Sequence, residues 1–143
     1  MGYRWFDKQD LTPLFAFGYG LSYTSFAYTR PRVSRTADGG LDVTFTVRNT
    51  GKVPGDEVPQ VYMGPPEPAP GDAQFAVRAL SAFERISIPP GQSKNVSLHV
   101  PLRRLQYWSA AKSQWVTAAG KRHLYISASS RDVRLTAESP AIR

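Results

Sequence analysis

Cysteine is absent from all 143 residues, which removes disulfides, thiol nucleophiles, iron–sulfur clusters and cysteine-bound zinc from consideration. Histidine is scarce. His99 and His123 fall in different strand patterns, outside any metal or hydrolase spacing, and read as solvent-facing strand residues. No apolar run approaches the roughly 20 residues of a membrane-spanning helix. Residues 1–10 lack the unbroken apolar stretch of a secretory leader, so neither a membrane span nor an address is expected in what is given. No G-x-S-x-G elbow is present, and no serine stands at a readable spacing from a base. Gly18 and Gly20 begin like a dinucleotide fingerprint, but Tyr23 occupies the third glycine's place without strand–turn–helix context, so a tight turn is the plainer role. Asp56 and Glu57 are adjacent; in a strand they point to opposite faces and cannot flank one bond as an acid/base pair. No catalytic residue, metal ligand or cofactor site is expected.

What is present suits short strands. Twelve prolines and eleven glycines are many for a helical chain, and the length fits one domain or a smaller domain with a tail. Residues 1–24 carry Tyr3, Trp5, Phe6, Phe15, Phe17, Tyr19 and Tyr23 without strict alternation or helical period. Pro13, Gly18 and Gly20 argue against a helix, so this segment reads as an apolar arm lying on a surface. From residue 25 the period becomes two: Leu41, Val43, Phe45 and Val47 alternate with Asp42, Thr44, Thr46 and Arg48. Asp38-Gly39-Gly40 marks a hairpin turn from a first strand over about residues 26–36. Further strands are expected over residues 57–63, with Pro59 marking an edge or bulge, over 80–88, and around Val96, Leu98 and Val100. Residues 64–76 read as a long irregular loop, and 102–105 as one short turn. A hairpin through Tyr107-Trp108 and Trp115-Val116 and two strands through Leu124–Ile126 and Val133–Ala137 complete the series. Seven or eight antiparallel strands in this length predict an all-β immunoglobulin or fibronectin type III-like β-sandwich, with a closed barrel as the competing architecture.

The net charge of +7, from 18 basic and 11 acidic residues, suits either an acidic partner or a solvated surface. Basic residues cluster at Arg30, Arg32 and Arg35, at Arg103 and Arg104, at Lys121 and Arg122, and at Arg131 and Arg134. Without a recognition motif, nucleic acid ranks low among partners. Tyr107, Trp108, Arg103 and Arg104 form a candidate ligand surface for a polysaccharide or anionic polymer. Trp115, beside Val116 in a strand pattern, reads as packed in the core or buried against a partner domain.

The strings Gly2-Tyr3-Arg4-Trp5-Phe6-Asp7 and Phe15-Ala16-Phe17-Gly18-Tyr19-Gly20-Leu21-Ser22-Tyr23-Thr24 resemble the junction in family 3 glycoside hydrolases, where the second catalytic domain gives way to a C-terminal fibronectin type III-like domain. Asn49-Thr50-Gly51, Gly55-Asp56-Glu57-Val58-Pro59-Gln60-Val61-Tyr62, Pro90-Gly91 and Ser129-Ser130-Arg131-Asp132-Val133-Arg134-Leu135 continue the likeness in order. Ala16 departs from it, standing where that junction usually carries proline. The resemblance implies that residues 1–24 are the tail of a catalytic α/β domain plus linker and that 25–143 are the sandwich. It places the aspartate nucleophile and glutamate acid/base of a retaining β-glucosidase or β-xylosidase upstream of Met1. The chain alone is then expected to be non-catalytic, with the parent's catalytic domains as partner. Trp5, Phe6, Phe15, Phe17, Tyr19 and Tyr23 would supply the interdomain contact, and association of two copies through the arm is a further expectation. The parent would be periplasmic or secreted, with the cytoplasm as alternative.

Overall fold

Leu41, Val43, Phe45 and Val47 all turn inward from one strand, as their alternation predicts. In the computed structural model, which describes residues 2–143, the elements in chain order are α1 (Tyr3–Lys8), β1 (Phe26–Arg35), β2 (Leu41–Asn49), β3 (Gly55–Glu57), β4 (Gln60–Glu67), β5 (Ala79–Phe83), β6 (Ile86–Ile88), β7 (Ser93–Val100), α2 (Leu102–Leu105), β8 (Gln106–Ser109), β9 (Gln114–Thr117), β10 (Lys121–Ser127) and β11 (Val133–Glu138). Met1, the first residue of the expected arm, lies outside the described residues. A three-stranded sheet in the order β1-β2-β7 and a four-stranded sheet in the order β11-β10-β4-β5 form the sandwich. Two short pairs, β3 with β6 and β8 with β9, lie beside them, and every pairing is antiparallel. The expected count of seven or eight therefore holds for the two main sheets, and the short pairs raise the total to eleven.

The core joins Phe26 and Tyr28 of β1, the β2 stripe, and Val96, Leu98 and Val100 of β7 to Val61 and Met63 of β4 and Leu124 and Ile126 of β10. Full burial of each such aliphatic side chain is worth about 1.5–3 kcal/mol. Asn49 is one of the buried polar residues. It is fully buried, its amide donating to Val53 O at 2.8 Å and Ile88 O at 3.0 Å while its Oδ1 accepts from Thr24 Oγ1 at 2.6 Å and Gly51 N at 3.0 Å. One side chain thus holds β2, the following turn, β6 and the end of the arm.

Several expectations need correction. The single strand over 57–63 is broken at Pro59, which has no N–H to donate: β3 leaves to pair with β6, and β4 starts at Gln60. Residues 64–67, expected in a loop, continue β4, with Pro66 opposite Arg122 and Glu67 opposite Lys121 on β10. The strand over 80–88 splits into β5 and β6, which join different sheets. A short helix, α1, opens the arm because Pro13 and the glycines all lie beyond it. Trp115 is half-exposed, which overturns core packing and leaves burial against a partner domain untested. In β1 the bulge between Thr29 and Arg32 accommodates Pro31, with Arg30 in the left-handed region at φ 58°.

Candidate functional site

The arm has an anchored side and a bare side. On the anchored side, the Tyr3 ring stacks on Phe17 at 5.0 Å and meets the edge of Tyr62 at 5.7 Å, while its hydroxyl accepts the Leu80 N–H at 2.7 Å. Tyr62, on the outer face of β4, is 1% exposed in consequence, and burial pushes its phenol pKa up. The Asp7 carboxylate is 2% exposed between Arg131 Nη2 at 3.1 Å and Arg78 Nη2 at 3.7 Å. Ser130 N donates to Phe17 O at 2.8 Å and Arg131 Nη2 to Leu11 O at 2.9 Å. Gly18, at φ 76°, lies against the Gln60 amide so closely that a Cβ there would overlap it. Gln60 in turn donates to Ala128 O at 3.1 Å and accepts the Tyr62 hydroxyl at 2.5 Å. The arm is therefore seated on the four-stranded sheet along much of its length.

On the other side, Leu14, Leu21 and Tyr23 are exposed to nine-tenths or more, and Phe15 is 72% exposed. Trp5, Phe17 and Tyr19 are about half-exposed, with Tyr19 stacked on Phe15 at 6.2 Å. Phe6 is only partly exposed and meets Trp5 edge-on at 5.3 Å. Of the six arm residues expected at an interdomain contact, five offer exposed ring surface, and Phe6 is the most withdrawn. Leu14 and Leu21 belong with them and were not singled out, because an isolated leucine carries no sequence signal for exposure. Tyr3, Asp7 and Gln60, which seat the arm, were equally illegible as a set, since their partners lie far along the chain.

Arg103, Arg104 and Tyr107 line a second feature, a cleft of about 550 Å³, together with Trp115. Trp108 stands outside it, paired across the β8–β9 hairpin with Trp115 at 5.6 Å and 70°. The Arg103 guanidinium sits over the Trp115 ring, 3.1 Å from its centroid. The structure so brings together three of the four residues expected at a ligand surface.

The other basic clusters are dispersed. Arg131 serves Asp7, Arg134 pairs with Asp132 at 2.7 Å, and Arg122 is 2% exposed. Most of the carboxylates are likewise engaged within the chain. Asp56 takes Arg85 and Ser87, Asp72 takes Ser109 at 2.7 Å, and Glu138 takes Lys121 at 3.1 Å. His99 lies between Asp42, 2.9 Å from Nδ1, and Asp38, 3.0 Å from Nε2. Hydrogen bonding to Asp42 and then Asp38 raises the His99 pKa, while Thr36 and Gly40 hold Asp38 low. The half-buried Glu57 has its pKa raised by desolvation against the Val58 N–H and Arg134. Among the described residues no helix is long and apolar enough to cross a membrane.

A model of the fibronectin type III-like domain matches residues 57–130, just over half of the chain. β-Glucosidase BoGH3A of Bacteroides ovatus is 40% identical over 139 residues, an alignment covering 95% of this chain and 18% of that protein. A probable β-glucosidase D of Aspergillus niger is 36% identical over 154 residues, covering 94% of this chain and 20% of the other. Among solved structures, DesR, a β-glucosidase from Streptomyces venezuelae in complex with D-glucose, superimposes on 99% of this chain with a TM-score of 0.93 and 45% identity, through 18% of its own length. A β-D-glucoside glucohydrolase from Trichoderma reesei matches 96% of this chain with a TM-score of 0.88 and 34% identity, through 22% of its length. The chain spans about a fifth of the length of these relatives.

Proposed function

The chain belongs to the fibronectin type III-like domain family, and from that premise we propose that it is a non-catalytic module of a β-glucosidase whose catalytic domains it packs against and stabilises. The carrying observation is the two-sided arm. Its inner side is held to the sandwich by Tyr3, Asp7 and Gly18, while Leu14, Phe15, Leu21 and Tyr23 are left in water. Apolar surface of this kind on an otherwise well-packed domain marks a surface that a partner covers. Similarity over nearly the whole chain to a fifth of several β-glucosidases supports the remainder of such an enzyme as that partner. Residues 1–24 are in this reading the tail of the preceding catalytic domain and its linker, already docked on the sandwich, and 25–143 are the module.

The carboxylates support a non-catalytic role. Retaining glycosidases set two carboxyl groups about 5–5.5 Å apart over one bond, whereas here Asp7, Asp38, Asp42, Asp56, Asp132 and Glu138 are each occupied by a cationic or histidine side chain.

The test is a pair of assays on the purified chain. An aryl β-glucoside should not be hydrolysed, and sedimentation should show self-association through the arm that Leu14→Ser with Leu21→Ser abolishes. Turnover that disappears on substituting a carboxylate of this chain would overturn the proposal.

A further inference from the structure

Thirteen arginines and five lysines set the chain's positive balance, and four of the arginines converge. Arg4 of α1, Arg103 and Arg104 of α2 and Arg122 of β10 line the one cleft, whose wall includes Tyr107 and Phe75. No aspartate or glutamate lines it. Among the described residues none of the four has a carboxylate within ion-pair distance, although Arg78, Arg85, Arg131 and Arg134 each do.

Arg122 sharpens the imbalance. Its side chain is among the most deeply buried in the molecule, and only backbone carbonyls meet it: Ala118 O at 2.7 Å, Lys121 O at 3.2 Å and Leu105 O at 3.5 Å. Desolvation lowers its pKa to about 10. A buried cation without a countercharge is costly, and so are like charges gathered around one cavity. An anion entering the cleft relieves both.

The cleft also has features that a bare phosphate would not use. Tyr107 and Phe75 meet edge-on at 5.7 Å and give it an apolar wall, and its size falls in the range of small-ligand sites. Arg103 is held in place by its stack on Trp115. A guanidinium fork matches a carboxylate in geometry as well as charge.

We propose that this cleft binds a carboxylate-bearing sugar of the uronic acid type, with Arg103 and Arg104 taking the carboxylate and the Tyr107 wall taking the ring. Of its lining only Arg4 belongs to the arm, and the proposal does not depend on the chain's role in a glycosidase.

Titration of the chain at fixed ionic strength with glucuronate, glucuronate methyl ester, inorganic phosphate and an aspartate-rich peptide tests it, read by tryptophan fluorescence and calorimetry. Glucuronate should bind saturably, the uncharged ester and phosphate each at least about tenfold more weakly. R103Q with R104Q should remove glucuronate binding while the chain stays cooperatively folded, since both side chains are exposed; R104Q alone, which keeps the Arg103–Trp115 stack, provides a milder variant if the pair misfolds. Equal binding of the ester, equal binding of phosphate, tighter binding of the peptide, no binding of glucuronate, or retention by a folded variant would each overturn the proposal.

Discussion

The Tyr3 hydroxyl accepts the backbone N–H of Leu80 at 2.7 Å, so the arm's helix satisfies a donor on β5, one of the two edge strands of the four-stranded sheet. An open edge invites pairing with other chains, and this contact closes part of it. Tyr3→Phe keeps the ring against Phe17 and Tyr62 and removes only the acceptor. Stability should fall by roughly 1 kcal/mol, and the Leu80 amide should exchange about fivefold faster. Hydrogen exchange resolved at Leu80 measures it.

Asn49 offers a larger effect. Its amide and carbonyl serve four groups, and Asn49→Ala would take a donor from the buried Ile88 carbonyl and from the Val53 carbonyl and free the Thr24 hydroxyl. Denaturant unfolding should show a loss of roughly 2–4 kcal/mol, and the arm should become more sensitive to protease near residue 24 because Thr24 has lost its anchor.

The His99 cluster predicts a stability plateau in pH. The folded pKa of His99 is raised above its ordinary 6.5, so its contribution is complete below that value and is lost as pH rises through the folded pKa. Asp38 is lowered from 3.8, so its contribution is present above that value and is lost as pH falls through the lower folded pKa. Stability should decline on both sides of a plateau between about pH 4 and pH 6.5. His99→Gln should flatten the alkaline side and, because His99 also helps to hold Asp38 low, weaken part of the acid side, as read from thermal midpoints across the range.

The sandwich was legible wherever one strand face is wet. In β2, β7 and β11 the polar residues between the apolar ones report the pleat directly, as Asp42, Thr44 and Thr46 do. β4 was legible as a strand only as far as Met63, and its two faces were not, because Gln60, Val61, Tyr62 and Met63 are all buried, two facing the core and two beneath the arm. Pro65 and Pro66 then disguised its second half as loop. Lys121-Arg122 read as a surface basic pair, yet the strand turns Arg122 inward beneath the β8–β9 region, a position that only the tertiary fold reveals. The exposed aromatics of the arm were legible as a composition that no strand or helix explains. Their seating was not, because Asp7 meets Arg131 and Tyr3 meets Leu80 across most of the chain. Tyr107 could be paired with Arg103 and Arg104 from their nearness in sequence, whereas Arg4 and Arg122 reach the same cleft from opposite ends.

The central claim, that the bare side of the arm is covered in a larger enzyme, is tested most directly by the thermal midpoint of Leu14→Asp with Leu21→Asp, measured in this chain alone and in the parent β-glucosidase. Both leucines lie in water in the single chain, so its own midpoint, taken below the concentration at which it self-associates, should not move. In the parent each would lose about 1.5–3 kcal/mol of burial and add a charge to an apolar contact, so the parent should melt several degrees lower. An unchanged parent, or an equal fall in both, would contradict the account.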